Sequence, residues 1–205
     1  MFGDPVSNPK GWEVTDLERA TNKITDGTHH SPPITDEGIP YITAKHLKKD
    51  GLHFFDNPWY ISLEDHKNIF SRCNPEKGDV LYIKDGATTG IAAINEYDFE
   101  FSMLSSLALI KCDEGILNPY FLCSMLNNDR NKQKLISNMG GAAIKRLTLT
   151  KIKKIEIIVP PIELQQKFSE IVEKVNAITA RIQHAQELPL FDALSQQAFK
   201  GELTQ

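Results

Sequence analysis

Cysteine is scarce in this 205-residue sequence, and Cys73, Cys112 and Cys123 form an odd, widely spaced set. That excludes a disulfide framework. With no Asn-x-Ser/Thr acceptor anywhere, it fits a reducing compartment. No stretch approaches the roughly 18 uninterrupted apolar residues of a membrane helix, and residues 1–20 lack a basic start followed by an apolar core. Neither spanning nor secretion is indicated, and the expected address is the cytoplasm. Glycine and proline are modest, at 12 and 11 residues, which argues against disorder and low complexity. Signatures of catalysis are also missing. Gly86-Ala-Thr-Thr-Gly90 lacks the lysine and hydroxyl of a phosphate-binding loop, and no Gly-x-Gly-x-x-Gly occurs. Val159-Pro160-Pro161-Ile162 has neither the Asn or Asp nor the aromatic that amino-methyl transfer asks for. The adjacent His29 and His30 point in different directions on an extended backbone, far from His46 and His53, so no metal site is expected. No acidic cluster resembles a nuclease core.

What is present is enough apolar residue, 40%, to fill one core with an appendage. Residues 1–14, with Pro5 and Pro9, read as an extended lead-in docked through Phe2 and Trp12. Leu17, Ala20 and Ile24 are spaced for a short helix starting near Thr15. Strands are predicted at Ile39–Thr43, Asp79–Lys84, Ile91–Asn95, Ser106–Lys111 and Lys154–Val159. Ser62 with Asp65 marks a helix over 63–70, and Asn118-Pro119 starts another over about 119–128. Single helices interrupting short strands indicate an α+β domain over 1–159. After Pro160-Pro161, residues 160–205 read as a helical arm. There Leu164, Phe168, Ile171, Val175, Ile178, Ile182 and Ala185 are spaced 4 and 3 alternately, a heptad seam that predicts a long C-terminal coiled coil. Pro189 breaks it, and Phe191, Leu194, Ala198 and Phe199 resume an apolar stripe.

The net charge of −4 counts against a nucleic-acid partner, yet its distribution is uneven. From Arg130 to Ile155 the chain carries Arg130, Lys132, Lys134, Lys145, Arg146, Lys151, Lys153 and Lys154 and no acid. Such a block is either a solvated face or a phosphate-tracking surface. Loops of small residues, hydroxyls and cations accompany it: Thr28, His29 and His30; Lys45 and His46; Lys84 with Gly86, Thr88, Thr89 and Gly90; and Gly140 to Lys145 and Arg146. Lysine and arginine suit phosphates or the guanine edge, and threonine and histidine suit base edges. Each loop alone reads more readily as an ordinary turn. Together they favour DNA, and Thr28, His29, His30, Lys45, Lys84, Thr88, Thr89, Lys145 and Arg146 are the candidate DNA-facing residues.

In this order, several segments resemble the specificity subunit of a type I restriction-modification system. They are Phe2-Gly3-Asp4-Pro5 through Trp12, Asp26-Gly27-Thr28-His29 with Pro32-Pro33, Gly38–Ile42, Lys77–Leu81, Gly86–Gly90, Asn118–Leu122, Ile144–Leu147, Val159–Gln166 and Ala198–Leu203. The resemblance implies a globular target recognition domain followed by one helical region. That is a non-catalytic half-subunit reading one half of a bipartite site in double-stranded DNA. It also implies docking to methylation subunits, which bring S-adenosylmethionine, and to restriction subunits; this chain would hold no cofactor itself. Members ordinarily carry two recognition domains, and here there is one. A fragment and a naturally short form are both open, and the short form predicts a homodimer through antiparallel helices at Leu164, Phe168, Ile171, Val175, Ile178 and Ile182. Two other classes stay in view: a coiled-coil interaction adaptor without DNA binding, and a hydrolase using one of the cysteines.

Overall fold

A computed structural model describes residues 1–138 and 146–187 and divides the chain into two compact units, Met1–Gln166 and Lys167–Gln205. The first unit is a mixed α/β body built on a four-stranded antiparallel sheet. Its strands are β2 (Thr21–Asp26), β7 (Val80–Ile83), β8 (Ala92–Ile94) and β10 (Leu107–Cys112), in the order β2-β10-β7-β8. β10 lies between two partners and carries Leu107, Ala108, Leu109 and Ile110, all buried. Its sequence is continuously apolar because both faces are covered. A second sheet joins β6 (Tyr60–Ile61), β3 (Ile39–Ile42) and β9 (Ser102–Met103), with β3 and β9 parallel. Leu81, Ile83, Leu107 and Leu109 from the first sheet, Ile42, Phe101 and Met103 from the second, and Phe54 form one apolar cluster. β4 (Leu47–Lys48) and β5 (Gly51–Leu52) make a small hairpin. β1 (Glu13–Asp16) pairs with β11 (Glu156–Val159), so the two ends of the unit are stitched together.

Helix starts follow the local chemistry of the sequence. In α1 (Leu63–Phe70) the Ser62 hydroxyl accepts from Asp65 N at 3.1 Å, and in α2 (Pro119–Asn127) Asn118 accepts from Tyr120 N and Phe121 N. These side chains replace the carbonyls that a first turn lacks. α2 packs on β7 and β8, and Asn127 clamps the β8 edge, donating to Ala92 O at 2.7 Å and accepting from Ala92 N at 3.0 Å. α3 (Asp129–Asn138) and α4 (Leu149–Lys153) complete the unit. The lead-in is folded into turns and not extended, with Asn8 N donating to Asp4 O and Trp12 Nε1 to Phe2 O, and it docks through the Phe2 ring, which meets Phe121 edge-on at 4.7 Å.

The expected helix near Thr15 is replaced by β1, a single 3-10 turn over Leu17–Ala20, and β2. Leu17 and Ala20 are buried as their spacing implied, but Ile24 lies opposite Ile110 of β10. Ladder hydrogen bonds to a strand more than eighty residues away outweigh a weak local helical pattern, and Thr21, Ile24 and Thr25 are β-branched.

α5 (Ile162–Glu187) begins with Gln165, fully buried, accepting from Asn118 N at 2.9 Å and donating to Ile116 O and Pro160 O. That explains a glutamine just after Pro160-Pro161: it ties the loop before α2 to the end of β11. In the second unit, α5 leaves Ile171, Val175, Ile178 and Ile182 each 50–56% exposed. Pro189 and the stripe from Phe191 to Phe199 lie outside the described residues.

Candidate nucleic-acid interface

Register brings most of the candidate loops to one end of the main sheet. Asp26 ends β2, Ile83 ends β7 and Leu107 begins β10, with Asp26 opposite Ala108 and Ile83 opposite Leu107. The 26–30 loop, the 84–90 turn and the 103–106 turn therefore emerge side by side. Thr28 N donates to Met103 O and Ser105 N to Thr28 O, each at 2.8 Å, while Lys84 N donates to Ser106 O at 2.9 Å. Residue 146 joins them through Leu147 N to Lys84 O at 2.7 Å and a bridge between Asp85 and Arg146. Ala44 N donates to Ser106 Oγ at 3.3 Å, which sets Lys45 beside the same turn.

The candidate side chains differ in availability. His29 and His30 are exposed, His29 Nε2 lying 3.3 Å from Asp26 Oδ2. Thr28 is half-buried and its hydroxyl donates within its own loop to His30 O at 2.9 Å. Thr88 is exposed, whereas Thr89 Oγ1 donates to Gly86 O at 2.7 Å. Lys45 is exposed, its ammonium 4.6 Å from the centre of the Trp59 ring, a cation–π contact. Arg146 is exposed. Lys145 lies outside the described residues.

Lys84 requires a correction. It was expected to face DNA, but its side chain is 3% exposed, with Nζ 2.7 Å from Asp85 Oδ2 and 3.5 Å from Asp26 Oδ2. A buried ammonium is tolerated only when carboxylates surround it, and here two do. Asp26 is also held by Arg72, Nη1 to Oδ1 at 3.2 Å, and Arg72 Nη2 donates to Gly27 O. Asp26, Arg72 and Asp85 carry no sequence signal for this role. Arg72 follows α1, and its link to Asp26 spans 46 residues.

The basic block is also divided. Lys153 pairs with Glu18 at 2.8 Å and Lys134 with Glu156 at 2.9 Å, and both acids lie toward the opposite end of β2 from Asp26, a strand length of about 20 Å. Arg130 pairs with Asp4. Arg146 and Lys132 belong to the loop end, Lys132 Cε lying beside Gly90. Burial and the neighbouring Lys49 charge lower the Lys132 pKa, against the pull of Asp129. Among the described residues of the block, Arg130, Lys134 and Lys153 are thus paired with acids distant in sequence.

Burial pushes the thiols of Cys73, Cys112 and Cys123 up to about 12, away from the thiolate a nucleophile needs. His66 bonds Ser102 Oγ at 3.0 Å and Glu100 Oε2 at 3.2 Å, the connectivity of a hydroxyl–imidazole–carboxylate relay, but Ser102 is fully buried in β9 and out of reach of any substrate. The trio fastens α1 to β9. Among the described residues no three His, Cys, Asp or Glu side chains are grouped to hold a metal ion, and no helix is long and apolar enough to cross a membrane.

His46 is buried beneath Lys45: its Nδ1 accepts from Thr43 N at 3.0 Å and its Nε2–H donates to Asn57 O at 2.9 Å. The bond from Thr43 N requires an unprotonated Nδ1 and so the neutral ring, whereas the bond to Asn57 O is kept in either state. Burial lowers its pKa, aided by the Lys45 charge and opposed by the Asn57 carbonyl. The folded pKa is therefore below the unfolded value of about 6.5, so the unfolded chain takes up the proton first and stability is lost as pH falls below that value. The gap in melting temperature between the native chain and His46→Gln is expected to be widest at pH 7.5 and to narrow toward pH 5.5; a constant gap would contradict this.

Comparisons with known proteins follow the same lines. A family model described as the type I restriction modification DNA specificity domain matches residues 9–188. A type I restriction enzyme specificity subunit from Methanocaldococcus jannaschii is 27% identical over 174 residues, covering 80% of this chain and 38% of that protein. The specificity subunit structure from Thermoanaerobacter tengcongensis matches with a TM-score of 0.57 at 21% identity, over 95% of this chain and 46% of that one. A chain from a type I restriction-modification assembly matches at a TM-score of 0.60 and 17% identity, over 96% and 49%. The chain thus spans less than half the length of these relatives. At these identities the structural matches show the mixed α/β fold.

Proposed function

The chain belongs to the type I restriction modification DNA specificity domain family, and on that premise we propose that residues 1–159 read one half of a bipartite target in double-stranded DNA. The convergence of the 26–30, 84–90, 103–106 and 146 segments on one end of one sheet carries this reading. A rigid sheet end presenting exposed His29, His30, Lys45, Thr88 and Arg146 offers donors and cations in fixed register, which base-edge recognition needs. In this reading the chain is non-catalytic and binds no cofactor. Methylation subunits supply S-adenosylmethionine chemistry, restriction subunits cleave, and the assembly works in the cytoplasm. Residues 160–205 act as spacer and docking arm.

The occupant of the arm's apolar seam is a second copy of this chain. Ile171, Val175, Ile178 and Ile182 sit half-exposed at 3- and 4-residue intervals, and such a stripe is buried by pairing two helices. A twofold pair would set two recognition domains at fixed spacing and read a symmetric site. Sedimentation should give a dimer, and Ile171→Asp with Ile178→Asp a monomer; a monomeric native chain at tens of micromolar would overturn the pairing. DNA reading is tested by retaining a randomised duplex library at fixed salt, with and without a methylation subunit, and sequencing what binds. A short motif, single or twice at constant spacing, is expected. Retention of no motif by the folded assembly would sink the DNA reading in favour of a coiled-coil adaptor.

A further inference from the structure

A chain of alternating charge passes through the first unit between two exposed arginines, with its middle members Asp26 and Lys84 buried: Arg72, Asp26, Lys84, Asp85, Arg146. Its inner members are buried or pinned. Its last member, Arg146, is 70% exposed, with Nε 3.3 Å from Asp85 Oδ1. That oxygen is buried and has no hydrogen-bond donor. An unfilled buried acceptor is costly, so it draws the Nε edge of the guanidinium toward itself. Asp85 Oδ2 is already engaged by Lys84, so the carboxylate is fixed on its other side. The backbone is fixed as well, by the bridge between residues 85 and 146 and by the bond from Leu147 N to Lys84 O. An arginine drawn to a carboxylate along its Nε edge leaves the two terminal Nη groups available as a fork.

We infer that Arg146 reads a guanine in the target, with Asp85 orienting it and Lys84 and Asp26 positioning Asp85. This rests on the DNA reading above. A guanine presents O6 and N7 side by side in the major groove, and a forward fork matches them bidentately. Phosphate is the poorer fit. A carboxylate beside the guanidinium repels a phosphate and cancels part of the attraction, whereas the neutral base edge gains from a pre-set orientation. A phosphate contact also needs no buried scaffold behind it.

The test uses the full chain in the assembly from which a motif is recovered. Each guanine of the motif is replaced in turn by 7-deazaguanine, which lacks the N7 acceptor. One such replacement is expected to weaken native binding by about 5- to 150-fold. Arg146→Lys keeps the charge but loses the fork, and Asp85→Asn loses the orienting charge. Both should accept other bases at that position and lose the 7-deazaguanine penalty there, while the rest of the motif and the salt dependence stay as they were. Arg146→Lys sits on the surface, and its melting temperature should match that of the native chain. The inference is overturned if Arg146→Lys recovers the same motif with the same penalty, if it weakens all duplexes equally, or if no guanine is sensitive. Absence of any motif with the native assembly would instead fail the DNA reading itself.

Discussion

Replacing Lys84 with methionine is expected to destabilise the first unit by about 3–5 kcal/mol, because removing one partner of a buried ion group leaves uncompensated charge. For a chain of this size that is roughly 10 °C in melting temperature. Methionine fills a similar volume without charge, so the loss isolates the electrostatics from packing. Asp26 is 5% exposed and would keep Arg72, at 3.2 Å, and the exposed His29, at 3.3 Å, while Asp85 would keep the exposed Arg146. Pairing Lys84→Met with Asp26→Asn should recover part of the loss, since one of the stranded carboxylates is then gone. Chemical denaturation of the three variants checks this. A loss below about 1 kcal/mol for Lys84→Met would mean that water already reaches the carboxylates.

Gly27→Ala is expected to be comparably damaging, by about 3 kcal/mol or more. A Cβ at Gly27 would lie well under 3.0 Å from the carbonyl of Met103 and from Leu104. The obstacle is backbone, which no side-chain rotation relieves. Here β2 passes over the 103–104 segment, and Thr28 forms its parallel bridge to Leu104 immediately afterwards. Separating the two would move the 26–30 loop away from the 103–106 turn, so DNA retention should fall along with stability. Gly86→Ala provides the contrast. It has open space around it but φ of +109°, so its cost is backbone strain alone, about 1–3 kcal/mol. Melting temperatures and library retention of both variants separate collision from strain.

Much of the scaffold is legible without coordinates. The starts of α1 and α2 follow from Ser62 and Asn118-Pro119, since a cap acts within three residues of itself. β7 and β10 follow from short apolar runs dense enough to be covered on both faces. β2 does not. Its polar, evenly spread residues become a strand only because β10 supplies the ladder, and no local pattern announces a partner at that distance. The short β6 and β9 are hidden for the same reason.

The candidate site divides likewise. Sequence order alone marked the 26–30 and 84–90 loops and Arg146, through motifs and turn residues that are local properties of the chain. It also determined the heptad spacing of Ile171, Val175, Ile178 and Ile182, because periodicity is written residue by residue. Only the tertiary structure decided which cations face water. Lys84 and Lys45 look alike in sequence, yet one is enclosed by Asp26 and Asp85 and the other lies over Trp59. The basic block looks continuous, yet Glu18 and Glu156 claim Lys153 and Lys134 far from the loops. The reason is physical: Coulomb attraction and burial depend on distance through space, and the acids that set them arrive from segments tens of residues away.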